Sequence, residues 1–341
     1  MNSHEETIRR IKAELGERLI ILGHHYQSDE VIACADYVGD SLELARKASQ
    51  IDKAQYIVFC GVHFMAESAY ILAPGKSVYI PDRSAGCPLA DMAALDDVLA
   101  AWDIIREISR SVVPVSYVNS SASLKAFCGR EDGIICTSGN ALKVLGWAFE
   151  RGEKVLFMPD MNLGRNTARS MGIPEDEMAL WDPSKPGGGL DAGAIERARI
   201  ILWKGWCPVH WPSFTADDVQ SVRERFPGVK VIVHPESDPG TVAASDASGS
   251  TASILDHVKG LKPGDTLAIG TEVNMVRRAA RSRDDVRIMP LREVSCDDMA
   301  RITLEKLART LTHLDGDACR VVVPEDVARD ARKALMNMLR I

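Results

Sequence analysis

Leu19-Ile20-Ile21-Leu22-Gly23-His24-His25-Tyr26 is the stretch on which the fold turns. Four consecutive apolar residues read as a strand buried on both faces, the pattern of a parallel sheet rather than a half-exposed hairpin. The glycine and the polar aromatic triplet mark the strand's C-terminal end. Working outward, similar runs occur at Tyr56–Phe59, Ser77–Ile80, Val112–Tyr117, Lys154–Met158, Ile200–Trp203, Lys230–Val233, Thr266–Ile269 and Arg287–Met289. Amphipathic segments alternate with them, at Ser41–Ala48, Asp91–Ile108, Ala141–Glu150, Ala216–Arg225 and Thr251–Val258. Strands alternating with helices predict an α/β fold with parallel sheets.

The nine strands fall into three sets of three. The first strand of each set ends in a polar triplet: His24-His25-Tyr26, Tyr117-Val118-Asn119 and His234-Pro235-Glu236. A hydroxyl-rich helix start follows each: Gly39-Asp40-Ser41, Thr137-Ser138-Gly139-Asn140 and Gly249-Ser250-Thr251. Each third strand is followed closely by a cysteine: Cys87, Cys207 and Cys296. His24 lies 63 residues before Cys87, and His234 lies 62 before Cys296. The middle spacing, Tyr117 to Cys207, is 90. Its excess falls in a Pro- and Gly-rich, loop-like insertion near 165–192. The chain thus divides into three repeated three-layer αβα units, 1–90, 91–210 and 211–341, the last carrying a C-terminal helix over Glu325–Leu339. In open parallel sheets the strand C-termini carry the ligand site, so three units facing one centre would deliver one cysteine each to it.

Composition sets the outer limits. A chain of 341 residues, 46% apolar and 26% charged, is an ordinary globular protein of two or three domains. A net charge of −7 argues against a nucleic-acid or anionic-membrane footprint but leaves anionic small molecules open. Met1–Lys12 carries Glu5, Glu6, Arg9 and Arg10 with no apolar core, and no apolar run approaches a membrane span, so a cytoplasmic protein is expected.

In a reducing compartment the eight cysteines are thiols, nucleophiles or metal ligands rather than disulfides. No C-x-x-C pair occurs, so any metal site must gather single cysteines from distant segments. Cys87, Cys207 and Cys296 match position across the units; Cys34, Cys60, Cys128, Cys136 and Cys319 do not and read as small core residues. Three convergent thiolates suit zinc with an open position, or a [4Fe–4S] cluster with one iron free of protein ligands. Ser41, Ser138, Ser250 and Thr251 sit where helix N-termini favour anions, although simple N-capping would also place them there. His24, Tyr26, Tyr117, His210, His234 and Glu236 add groups able to move protons. His4, His257 and His313 lie in helical patterns away from this set.

These motifs, together with Val58-Phe59-Cys60-Gly61-Val62-His63-Phe64-Met65-Ala66-Glu67, Ala85-Gly86-Cys87, Cys136-Thr137-Ser138 with Asn140, and Gly270-Thr271-Glu272, resemble the quinolinate synthase family over nearly the whole chain. The resemblance implies a pseudo-threefold arrangement around a central active site and a [4Fe–4S] cluster on Cys87, Cys207 and Cys296. It implies condensation of iminoaspartate, made by L-aspartate oxidase, with dihydroxyacetone phosphate to give quinolinate, the open iron binding the hydroxyl that leaves as water. Carried over by motif, Glu236, His24, Tyr26, Tyr117, His210 and His234 would be catalytic. Ser41, Asn119, Ser138, Ser250 and Thr251 would bind substrate. The chain departs from the family in Asp297-Asp298 after the third ligand, where Cys-Pro is common. It also lacks the extra cysteines that some members carry at the positions of Pro290 and Glu293. A non-catalytic iron–sulfur sensor and a three-cysteine zinc hydrolase are the competing readings.

Overall fold

The computed structural model describes residues 3–341, so the first two residues of the charged N-terminal stretch lie outside it. In the first unit, strands β1 (Leu19–His24), β2 (Tyr37–Gly39), β3 (Tyr56–Cys60) and β4 (Ser77–Tyr79) form a parallel sheet in the order β4-β3-β1-β2. The second unit places β5 (Val112–Tyr117), β6 (Ile134–Cys136), β7 (Lys154–Met158), β8 (Met178–Trp181) and β9 (Ile200–Trp203) in the order β6-β5-β7-β9-β8. The third contains β10 (Lys230–Val233), β11 (Ala247–Ser248), β12 (Thr266–Gly270) and β13 (Arg287–Pro290), ordered β11-β10-β12-β13. One four-strand plan therefore occurs three times.

In that plan the chain reverses direction across the sheet beside the first strand, with its second and third strands on opposite flanks. Such a switch point opens a crevice at the strand C-termini. The triplets at the ends of β1, β5 and β10 stand in those three crevices. All nine expected strands are present. The edge strands β2, β6 and β11 were not anticipated: two or three residues are too few to show a period.

Two features correct the sequence reading. The insertion near 165–192 is not merely a loop, since it contributes β8, which pairs in parallel with β9 from Met178↔Ile200 to Trp181↔Trp203. The C-terminal stretch also does more than cap the third unit. Strand β14 (Arg320–Val321) pairs antiparallel with β4, so the first sheet is not wholly parallel. The final helix, Glu325–Arg340, packs mainly along helix Ala122–Arg130 and β6 of the second unit, touching helix His63–Leu72 of the first as well.

The closest point of this helix pair is Gly129, where an added Cβ would stand 1.9 Å from the Asp330 carbonyl oxygen. Backbone, unlike a side chain, cannot swing aside. Gly129→Ala is therefore expected to force the helices apart and lower unfolding free energy by about 3 kcal/mol, read from urea denaturation. A variant within 0.5 kcal/mol (roughly the surface-substitution range) would show that the contact yields.

Candidate functional site

The three units meet around a cavity of about 310 Å³. Of the fourteen residues nominated from the sequence, thirteen line it: His24, Tyr26, Ser41, Cys87, Tyr117, Asn119, Ser138, Cys207, His210, His234, Glu236, Thr251 and Cys296. Ser250 stands behind the wall, buried, with its hydroxyl accepting the Ser253 N–H at 3.3 Å as a helix cap. The other helix starts are arranged differently. Asp40, not Ser41, caps helix Ser41–Ser49, its Oδ1 accepting the Leu42 and Glu43 N–H groups at 2.9 Å each. Asn140 Oδ1 accepts the Thr137 N–H at 2.7 Å. Asp40 and Ser250 thus act as side-chain caps, Asn140 folds back on the preceding turn and gives helix Ala141–Phe149 no side-chain cap, and Ser41, Ser138 and Thr251 line the cavity.

The histidines of the first and third triplets are held alike. The Tyr26 N–H donates to His24 Nδ1 at 3.2 Å, and the Glu236 N–H donates to His234 Nδ1 at 3.4 Å. A nitrogen that accepts cannot carry the proton, so in the neutral rings Nε2 is the N–H donor. His234 Nε2 lies 3.2 Å from Ser138 Oγ. Burial lowers both histidines to about 3, helped for His24 by neighbouring His25 and for His234 by stacked His210, whose ring lies 4.1 Å away. Both are neutral at physiological pH.

This sets a pH signature. The folded values lie below the ordinary histidine value near 6.5, so the unfolded chain binds protons that the folded chain refuses. Stability is full above pH ~6.5 and falls as pH drops below it, by up to about 1.4 kcal/mol per pH unit for each histidine. His24→Gln should flatten the fall seen in urea melts between pH 7.5 and 5.5. A wild-type stability indifferent to pH across that window would contradict the neutral assignment.

Glu236, about 1% exposed, is held below the usual carboxylate range. Burial alone would push it up, but His234, His210 and the Tyr117 hydroxyl overcome that. His210 Nδ1 is 2.7 Å from Glu236 Oε2, with both side chains about 2% exposed. From His210 a chain of hydroxyls continues: Nε2 lies 3.2 Å from Thr271 Oγ1, which lies 2.8 Å from the Tyr26 hydroxyl. Thr271, on the Gly-Thr-Glu motif after β12, was not nominated from the sequence. Its motif was visible, but its place between Tyr26 and His210 depends on packing between lobes.

The cysteines occupy the matching turns of their units. Cys87 and Cys296 are the residues before short helices Pro88–Asp91 and Asp297–Ala300, their carbonyls accepting from Asp91 and Ala300 at 3.2 and 3.0 Å. The Cys207 carbonyl accepts the His210 N–H at 3.0 Å, and its N–H donates to buried Asp160 Oδ2 at 3.2 Å. Burial pushes Cys87 up to about 12 and Cys296 to about 11, and Cys207 well above the thiol range; Glu236, Cys87 and Cys296 add to the rise at Cys207, Cys296 and Glu236 to that at Cys87, and Asp298 and Glu272 to that at Cys296. Backbone N–H groups of Leu89 and Ala90, and of Asp298 and Met299, work against that rise. Three half-buried thiols lining one cavity, two of them faced by backbone amides that favour the thiolate, fit a cationic thiophilic group. The other five cysteines are free thiols outside this cavity.

Two further groups complete the site. Asn119 Oδ1 is buried without a hydrogen-bond partner, an acceptor left for a ligand N–H or O–H. Among the described residues no lysine or arginine lines the cavity. Lys125, fully buried, donates instead to the Ser120 carbonyl beside Asn119 and lies 5.3 Å from the centroid of Phe64, which does line it. Anions entering here would meet mainly neutral N–H and O–H donors. Also among the described residues, no helix is long and apolar enough to cross a membrane.

Three repeated α/β units closing on a thiol- and histidine-lined cavity define an enzyme of the α/β class whose strand ends build one shared site. The family model described as Quinolinate synthetase A protein matches residues 6–340. The chain is 48% identical to the quinolinate synthase of Corynebacterium glutamicum, with 98% of this chain and 86% of that protein covered. It is likewise 48% identical to that of Streptomyces coelicolor (98% and 87% covered) and 46% identical to that of Bacillus velezensis (98% and 92%). The chain belongs to the quinolinate synthetase A family.

Proposed function

We propose that this chain condenses iminoaspartate with dihydroxyacetone phosphate to give quinolinate, inorganic phosphate and water. The observation that carries the reading is the buried Glu236–His210 pair, opening onto the same cavity as Cys87, Cys207 and Cys296. Those cysteines would hold a [4Fe–4S] cluster, whose uncoordinated iron would supply Lewis acidity toward a departing hydroxyl.

The reaction needs anion binding without permanent cations, then several proton transfers. Ser41, Ser138, Thr251 and the Nε2–H of His24 present neutral donors to phosphate and carboxylates, and Asn119 Oδ1 accepts from the imine or a substrate hydroxyl. Neutral donors suit a site that must let phosphate leave, because a charged clamp would hold substrate and product alike. Glu236, ionised and adjacent to His210, takes the proton from carbon as the phosphate departs. The His210–Thr271–Tyr26 chain returns protons to oxygen or nitrogen during isomerisation and ring closure. Tyr117, against Glu236, keeps its own proton, burial raising it well above the usual phenol range. A sensor that only reported cluster state would have no use for this chain of groups.

A single zinc ion on the three cysteines would need sulfurs about 3.8 Å apart. Among the described residues the ligand atoms within 4.8 Å of one another are those of Cys207, His210 and Glu236, a group that leaves out Cys87 and Cys296. That spacing favours a larger multinuclear group across the three cysteines. The test is an anaerobic assay of cluster-loaded protein with dihydroxyacetone phosphate and freshly generated iminoaspartate. Quinolinate should form; a fully loaded protein that forms none would overturn the proposal. Coupling the assay to L-aspartate oxidase would also reveal whether that enzyme hands its product on as a partner.

A further inference from the structure

We infer that the chain without its cluster carries a second metal site, in which Cys207, His210 and Glu236 bind one thiophilic divalent cation such as zinc. The three donors come from two segments, the Cys207–Trp211 turn and the end of β10, and their ligand atoms already lie within 4.8 Å of one another. A tetrahedral zinc ion asks for thiolate, imidazole and carboxylate atoms about 3.4–3.6 Å apart. The closest pair, His210 Nδ1 and Glu236 Oε2 at 2.7 Å, now shares a proton and needs to open only slightly. One thiolate, one imidazole and one carboxylate with a fourth position facing a cavity is the donor set of an open zinc site.

The surroundings support the ligands from behind. The Cys207 N–H is anchored on Asp160 Oδ2. The second nitrogen of His210 faces Thr271 Oγ1 at 3.2 Å, the outer contact that orients a metal-bound imidazole. On binding, the Cys207 thiol proton passes to solvent, while the proton on His210 Nδ1 moves to Nε2, facing Thr271 Oγ1, so that one thiolate, one neutral imidazole and one carboxylate meet the cation. No oxidation or reduction is involved.

The site shares Cys207 with the three-cysteine set, so the two occupancies exclude each other. A zinc ion lodged there removes one of three sulfurs from cluster assembly and blocks the Glu236 carboxylate. This goes beyond the proposed reaction, and its test requires no substrate, so the two can fail separately.

The experiment uses the full-length chain purified without cluster and titrated with Zn²⁺ against a chromophoric chelator, with Co²⁺ as the spectroscopic probe. Wild type, Cys87→Ser and Cys296→Ser should each bind one equivalent with affinities within about threefold. Cys207→Ser, His210→Asn and Glu236→Gln should bind on the order of 100-fold more weakly. The thiolate-to-cobalt charge-transfer band should vanish only in Cys207→Ser. Thermal melts identify any variant that has failed to fold, and three separate ligand changes keep the result from resting on one. Zinc-loaded wild type should also resist reconstitution with iron and sulfide, while zinc-free protein turns brown. The inference is overturned if Cys87→Ser or Cys296→Ser loses zinc as fully as Cys207→Ser, or if wild type binds no stoichiometric zinc.

Discussion

Glu236→Gln is expected to lower turnover by on the order of 10²–10⁴-fold while the protein still folds and takes up its cluster. Gln has nearly the same shape, and its carbonyl can still accept from His210 Nδ1, so the 2.7 Å contact has a replacement partner. It cannot accept a proton from carbon. The loss should therefore fall on kcat, with KM for dihydroxyacetone phosphate little changed, because the neutral donors proposed to hold phosphate are untouched. Melting temperature and bound iron separate this from a folding or loading defect. An unaltered kcat would remove Glu236 from the chemistry and leave the buried pair as structure alone.

Cys87→Ser carries the second large effect. Serine at that turn keeps the backbone geometry, with the Asp91 N–H still reaching the residue 87 carbonyl, but replaces a soft thiolate by a hydroxyl that does not ionise at neutral pH. Iron retained after desalting, the absorbance at roughly 400 nm and quinolinate formation should all fall below detection. Cys136→Ala is the matched control. Cys136 is buried at the end of β6 and lies outside the cavity lining, so its variant should keep the cluster and lose only some stability. If Cys87→Ser retained both iron and activity, the three-cysteine reading would be wrong. Here the contrast with zinc is useful, since Cys87→Ser should bind that ion normally.

How much of this was legible beforehand differs between levels. Most of the nine strands were readable because they hold continuous apolar runs, as a strand covered by helices on both sides must; β13, with burial only partial along its length, was readable from its place in the repeat. Their repeat was readable because polar triplets and cysteines recur at nearly constant spacing. β2, β6 and β11 were hidden by brevity, and β8 by the glycines and prolines around it. Helix Glu325–Arg340 was visible as a helix, but not its seat on helix Ala122–Arg130, which depends on one small residue, Gly129, meeting a carbonyl 201 positions away (Asp330).

The site divides in the same way. Which polar residues cap helices and which line the cavity could not be read from motifs, because Asp40, Asn140 and Ser250 are all of cap-forming type, yet only Asp40 and Ser250 cap their helices while Asn140 bonds the upstream Thr137 N–H. Thr271 and Asp160 escaped notice because each acts on a partner from another segment: Tyr26 lies 245 residues from Thr271, and Cys207 lies 47 from Asp160. Sequence by itself determined the element types, the threefold repeat and the inventory of chemical groups, since those depend on neighbours along the chain. Only tertiary structure decided which sulfurs share a cavity, which carboxylate is held ionised and which three ligand atoms stand close enough for a single ion. Those properties depend on distance and burial, and both are set when the separate lobes close on one another.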